Sequence, residues 1–292
     1  MKFNYQLTIL MLMVPWSAWC QNDTTFYFGV NGKTCDLKDT VIKKEITYIS
    51  DKDVTIETSN FKDGKWNLAL SEKMKKVDEN EYKVQIKGTQ FSGNAVREFE
   101  KSGNNKFKFT DRMNKRIIRT GETLRRIPLI FDGEVTEYYK NGDKKSLSVY
   151  ENNQLVSNKN WLENGDPYID NVFYSVDQEP FYKMGMPIVH TNLRNAFVNS
   201  SVDISRMSGT IMVGFVVMED GSIDGIRIEE GLKKELDQVA LDAFRQLPDG
   251  WQPAQLNDSI VRYYQLFPIN FINKEKKFEI NELYGREIST RK

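Results

Sequence analysis

The 292-residue chain holds one histidine, His190, and two cysteines, Cys20 and Cys35, so imidazole and thiol chemistry have few places to occur. A zinc site gathers several Cys or His ligands, and His190 has no such partner at ligand spacing. It reads as an ordinary residue near the start of a helix. Cys35 lacks a histidine partner, no Ser sits in a nucleophile elbow, and no glycine loop of the phosphate-binding kind is present. Asp220 and Asp224 flank a Gly221-Ser222 turn, where carboxylates serve turn chemistry and, without burial, make a poor acid and base pair. No catalytic residue, metal ligand or cofactor is expected. The chemistry left is that of the main chain, the unpaired N–H and C=O groups of a strand edge.

The elements that must position such an edge lie between Gly209 and Phe271. In GTIMVGFVV, Ile211, Val213, Phe215 and Val217 alternate with their neighbours at the strand period of two. A Glu219-Asp220-Gly221-Ser222 turn follows, and Ile226 and Ile228 then alternate with Arg227 and Glu229, which completes a hairpin. From Leu232 to Leu247 the period becomes helical through Leu236, Val239, Ala240, Ala243, Phe244 and Leu247, with Asp237 as the expected N-cap and Pro248 as the stop. The last strand, IVRYYQLFPINF, places Val261, Tyr263, Phe267, Ile269 and Phe271 on one face. Pro268 cannot donate to a ladder, so this strand belongs at an edge or carries a bulge. If the helix returns the chain to the start of the second strand, the third pairs beside the first, in the order second, first, third. The third strand then keeps a free edge at Arg262, Tyr263, Tyr264, Gln265 and Leu266.

GTIMVGFVVMEDGSI, LDQVAL, WQPA and VRYYQLFPINF, in that order, resemble the C-terminal domain of the TonB family over residues of about 188–271. The resemblance implies a periplasmic domain without covalent chemistry, which takes up a short extended peptide of an outer-membrane transporter by adding it to its sheet. Trp251 and Pro253 match the family pattern, and Trp251 reads as a core plug. A short helix from about Ile188 to Asn199 is expected through Leu193, Ala196 and Phe197. The family's usual Tyr-Pro is replaced there by NSSVDISRMSG.

Residues 1–20 read as a secretory leader, with Lys2 before the apolar run Leu7–Trp19 and small residues at Ala18 and Cys20. Cleavage after Cys20 would start the mature chain at Gln21. Lipidation of Cys20 and retention as an anchor are the competing readings. From 21 to 126 the pattern is β-like: Val54, Ile56 and Thr58 alternate, as do Tyr82, Val84 and Ile86, and Phe107 with Phe109. Turn signals stand at Asn31-Gly32, Asp63-Gly64 and Ser102-Gly103. Over 127–178, Tyr138-Tyr139 and Trp161 precede Asn141-Gly142 and Asn164-Gly165, and GEVTEYYKNGDKKSLSVYENNQLV resembles MORN-like repeats of exported bacterial proteins. Tyr139, Tyr150 and Trp161 would then be glue between hairpins. Gln178–Pro187 reads as the join to the domain at 188–271. The charged tail, 272–292, reads as an extension or a frayed amphipathic helix through Phe278, Ile280, Leu283 and Tyr284.

The expected fold class is α+β: a C-terminal three-stranded antiparallel sheet with two helices, preceded by an all-β region of stacked hairpins. Lys plus Arg and Asp plus Glu are equal at 41 each, which gives no electrostatic reason to expect nucleic acid. The function implied is an exported, non-catalytic protein that binds a protein or peptide partner at the cell envelope by strand addition. That partner could be an outer-membrane transporter, or a second copy joined edge to edge. A TonB-type energy transducer and a hydrolase within 21–126 are the alternatives; only 8 prolines are scattered along the chain, and the long spanning linker of a transducer is missing.

Overall fold

Alternation at period two carries the chain through a run of hairpins before any helix forms. In the computed structural model, which describes residues 24–36, 39–62, 64–88, 92–103, 105–204, 207–271 and 278–279, these hairpins make one sheet. Its strands are β1 (Thr24–Phe28), β2 (Ile42–Tyr48), β3 (Asp53–Lys62), β4 (Lys65–Lys76), β5 (Glu81–Gly88), β6 (Ser92–Ser102), β7 (Lys106–Met113), β8 (Arg116–Thr123), β9 (Phe131–Tyr138), β10 (Lys144–Glu151) and β11 (Gln154–Asn160). They lie in sequence order as an eleven-stranded meander. The expected leader 1–20, with Cys20, lies outside the described residues, as does most of the tail.

One face of the meander is apolar because its register aligns like with like. Val54 faces Met74, Met74 faces Val84, and Val84 faces Ala95, while Phe99 faces Phe109. All of these are buried, and such same-face pairs are the unit of sheet stabilisation. The sheet curls: Phe26 of β1 lies 4.7 Å from the Arg125 guanidinium, which follows β8. The 3-10 turn Val30–Gly32 reaches β11, with Asn31 Nδ2 donating to the Leu155 carbonyl at 2.9 Å and Asn153 Nδ2 to the Gly32 carbonyl at 3.0 Å. The sheet also runs straight through the expected boundary at 126, since β8 and β9 pair with each other.

Inside the curl sits a charge cluster. Arg97 is 1% exposed and forks onto Asp111, with Nε at 2.7 Å from Oδ1 and Nη2 at 3.1 Å from Oδ2. Glu72 accepts from the same Nη2 at 3.1 Å, and Arg119 donates to Asp111 Oδ2 at 2.7 Å. Burial alone would raise the Asp111 carboxyl; the two guanidiniums outweigh it and hold the group below its ordinary value.

The remaining elements are β12 (Val172–Phe173), β13 (Phe181–Tyr182), α1 (Met186–Asn199), β14 (Gly209–Val217), β15 (Ile223–Glu230), α2 (Lys234–Arg245), β16 (Trp251–Gln252), β17 (Ala254–Leu256), β18 (Ser259–Phe271) and β19 (Phe278–Glu279). β14 pairs antiparallel with both β15 and β18, the expected second-first-third order. Three short strands, β12, β17 and β19, join β18 as well. Ile211, Val213, Phe215 and Val217 are fully buried with Phe267, Ile269 and Phe271 beneath Val189, Leu193 and Phe197 of α1 and Leu236, Ala240 and Phe244 of α2.

Several expectations are corrected. Lys233, not Asp237, stands at the N-cap of α2; Asp237 lies in the first turn and its Oδ1 accepts the Leu232 N–H at 3.0 Å, so the carboxylate caps backwards. Helix α1 starts at Met186, after Gly185 at φ 82° and with Pro187 in its first turn, where a missing N–H is harmless. The join at 178–187 is no free linker, because Gln178 bridges Gln255 and β13 pairs with β16. Phe278 and Glu279 belong to a strand on β18, not to a helix. Trp251 is the expected core plug, 4% exposed and 5.5 Å from the rings of both Tyr182 and Phe215.

Candidate partner-binding edge

The outer edge of β18 is divided along its length. At its start β17 pairs with Ser259, Ile260 and Val261, and β12 runs parallel beside Arg262 and Tyr263. At its end β19 pairs with Asn270 and Phe271. Between them, from Gln265 to Ile269, no described strand lies on the outer side. The inner side meets β14 in an unbroken register through Pro268, which stands opposite Met212. Proline has no N–H to offer, so an unbroken ladder there requires its nitrogen to face away from β14. Main-chain groups alternate sides along a strand, hence the N–H groups of Tyr264 and Leu266 face outward too.

β12 occupies the edge because the meander holds it there. Asn158, 3% exposed, donates from Nδ2 to the Val172 carbonyl at 2.7 Å and accepts the Val172 N–H on Oδ1 at 3.1 Å. Asn160 donates to the Ile169 carbonyl at 2.9 Å. Two asparagines of β11 thus imitate a strand neighbour for the 169–172 segment.

The expected site residues consequently fall into different settings. Arg262 pairs with Glu219 at 2.9 Å and donates to the Asp170 carbonyl at 2.9 Å, with β12 beside its main chain. Tyr263 is 3% exposed, packs with Val176, Ala254 and Leu256, and points its hydroxyl at Glu179 at 3.4 Å. The free stretch expected at Arg262 and Tyr263 is therefore filled by the chain's own β12, and the open length shifts toward Ile269. Tyr264 hydrogen-bonds to Glu229 and receives Arg227 Nη2 at 3.5 Å. Burial first, then Glu229, raises its phenol well above the ordinary tyrosine value. Gln265 is 7% exposed on the helix side and donates to the Leu266 carbonyl at 3.3 Å, and Leu266 is half-buried.

A cluster that sequence patterns do not disclose sits on the opposite face from the helices. Arg227 lies 4.5 Å from the Tyr168 ring and 5.4 Å from the Tyr264 ring, and Tyr174 lies 5.7 Å from Tyr264. Gly214 permits this crossing, since a Cβ there would run into the Tyr264 hydroxyl. Tyr168 also donates to the Gly225 carbonyl at 2.9 Å, and burial pushes its phenol up to about 12. The only signal for the cluster is the richness in tyrosine between 168 and 174.

The other edge of the sheet, on β15, is blunted. Its register against β14 shifts twice, Gly225 takes φ 61°, and the Asp224 carboxylate accepts the Gly225 N–H at 2.6 Å. Bulges and local caps of this kind discourage strand pairing. Asp220 takes the Ser222 N–H at 2.9 Å, the turn role expected of it. Cys35 is a free thiol 3.6 Å from the Thr40 hydroxyl, and His190 lies in α1 with its ring 6.1 Å from Phe267. Among the described residues no group of three or more His, Cys, Asp or Glu side chains could hold a metal ion, and no helix is long and apolar enough to cross a membrane.

Two turns in the meander are built alike. Asn141 and Asn164 each accept the N–H of the Asp two residues on, at 2.9 and 3.1 Å, and each donate to that Asp carboxylate at 2.8 Å. The turns are tied together, with Tyr139 donating to the Trp161 carbonyl at 2.8 Å and Asn141 to the Glu163 carbonyl at 2.9 Å. Tyr150 instead packs on Phe131, at 5.1 Å.

Residues 202–272 match the family model described as the Gram-negative bacterial TonB protein C-terminal. No curated protein and no solved structure matches the chain.

Proposed function

We propose, from the premise that residues 202–272 form a TonB C-terminal domain, that this is a bacterial envelope protein that captures an extended segment of a partner on the open stretch of β18. The observation that carries the reading is the gap between β12 and β19, where the outward N–H of Leu266 stands without a described strand beside it. Strand addition draws affinity from main-chain hydrogen bonds. The partner that suits it is a protein with an exposed extended segment, such as the periplasmic end of an outer-membrane transporter. The meander, with its paired Asn-Gly turns in a MORN-like array over β9–β11, serves as the scaffold that fixes where the open stretch begins.

Proline substitution tests this directly. Leu266→Pro removes one outward N–H and should lower capture of a transporter's periplasmic peptide by at least tenfold, about 1.4 kcal/mol. Leu266→Ala, which keeps the N–H, should bind within about twofold of the parent. Equal capture by a folded Leu266→Pro protein would remove strand addition at this edge from consideration.

A further inference from the structure

Arg125 stands apart from the arginines around it. Arg97, Arg112, Arg116, Arg119 and Arg126 each donate to a carboxylate or a carbonyl. The Arg125 guanidinium has no acceptor among the described residues and lies against the Phe26 ring at 4.7 Å. It opens on a cleft of about 450 Å³, lined on the apolar side by Phe26, Leu124 and Ile130 and on the polar side by Lys33, Arg125 and Gln154. No carboxylate lines it, and Lys33 has no ion-pair partner among the described residues.

The cleft is built in advance of any ligand. Its floor is the loop from Leu124 to Ile130, closed by the Leu124 N–H on the Ile130 carbonyl at 2.8 Å and by the fully buried Thr123 hydroxyl, which accepts the Ile130 N–H at 3.0 Å. One wall is Lys33 and Thr34, which follow the Val30–Gly32 turn fastened to Asn153 and Leu155. The opposite wall follows from Asn153, whose N–H meets the Phe131 carbonyl at 2.6 Å. Behind Phe26, and directly opposite it in the β1–β2 register, is Lys44. The Lys44 amine shares that interior with Arg97, Arg119, Glu72 and Asp111, and burial lowers its proton affinity. A cleft lined by Arg125 and Lys33 and by no carboxylate is attractive to anions.

We propose that this cleft binds a small amphiphilic anion, with its charged end between Arg125 and Lys33 and its hydrocarbon against Phe26, Leu124 and Ile130. The volume suits a small ligand, and a few placed polar groups on an apolar lining are the usual makeup of such sites. The site is independent of the β18 edge.

Calorimetric titration of the whole chain with octanoate, octanol and octylamine tests it. Octanoate should bind with saturation at one per chain, and octanol and octylamine at least tenfold more weakly. Arg125→Ala and Lys33→Ala should each weaken octanoate about tenfold while thermal unfolding stays put, because both side chains are exposed. Octanoate binding no better than octanol, or unchanged by Arg125→Ala, would overturn the proposal. So would cosedimentation with phosphatidylglycerol vesicles in the absence of octanoate uptake, which would reassign the two cations to a membrane surface.

Discussion

Asp111 is the residue on which the interior of the meander depends most. It is 1% exposed and answers two guanidiniums, one of them equally buried. Replacing it by Asn leaves Arg97 inside without its fork partner, and breaking a buried pair from one side costs about 3–5 kcal/mol. The pH dependence has a definite sign. The folded carboxyl titrates below its ordinary value, so its stabilisation is complete above about pH 4 and is lost as pH falls through the folded value. Urea unfolding of Asp111→Asn should therefore show the full deficit at pH 7 and a narrowing gap to the parent below that range. This residue was invisible as a site in the sequence: Asp111 and Arg97 lie 14 apart and look like ordinary strand charges, and it is the β6–β7 register that sets them directly opposite each other on the buried face. Trp251 was legible, because a large aromatic just after a helix has few places to go but the core.

At the scale of elements, β12 decides how much of β18 is open. Its two residues hold their place through Asn158, whose amide supplies both a donor and an acceptor to Val172. Asn158→Ala leaves the Val172 N–H and C=O buried without partners, at a cost of about 1–3 kcal/mol, and should let β12 leave the edge. Amide exchange at Val172 should accelerate, and a captured peptide should then extend its protection back to Arg262. Unchanged exchange at Val172 would mean that β18 alone holds β12. The three long strands, the second helix and their order were legible because period-two and period-3.6 patterns are strong there. The short strands β12, β13 and β16 were not, since two residues carry no period and their pairing is set by tertiary contacts. For that reason Gln178–Pro187 looked like a join, although Phe181 and Tyr182 within it pair with Gln252 and Trp251.

For the molecule as a whole, the two sheets are sutured rather than strung together. The 169–173 segment takes hydrogen bonds from β11 on one side and from β18 on the other, and Tyr168 and Arg227 close the seam. The meander thus sets one end of the open edge, which links a β region of opaque sequence to the region that matches the TonB C-terminal model. Alternation forecast its strands; that they form one continuous curled sheet through residue 126 depends on register, which local patterns leave unspecified. The central claim is that a partner segment becomes an additional strand on β18, and the most direct measurement is residue-resolved amide exchange by NMR. The whole chain would be compared with and without a synthetic periplasmic N-terminal peptide of an outer-membrane transporter. New protection at the Leu266 amide, with those of Gln265 and Phe267 unchanged because they already face β14, is the expected result. Saturable binding of that peptide with protection confined to β15 or the meander, and none at Leu266, would contradict it.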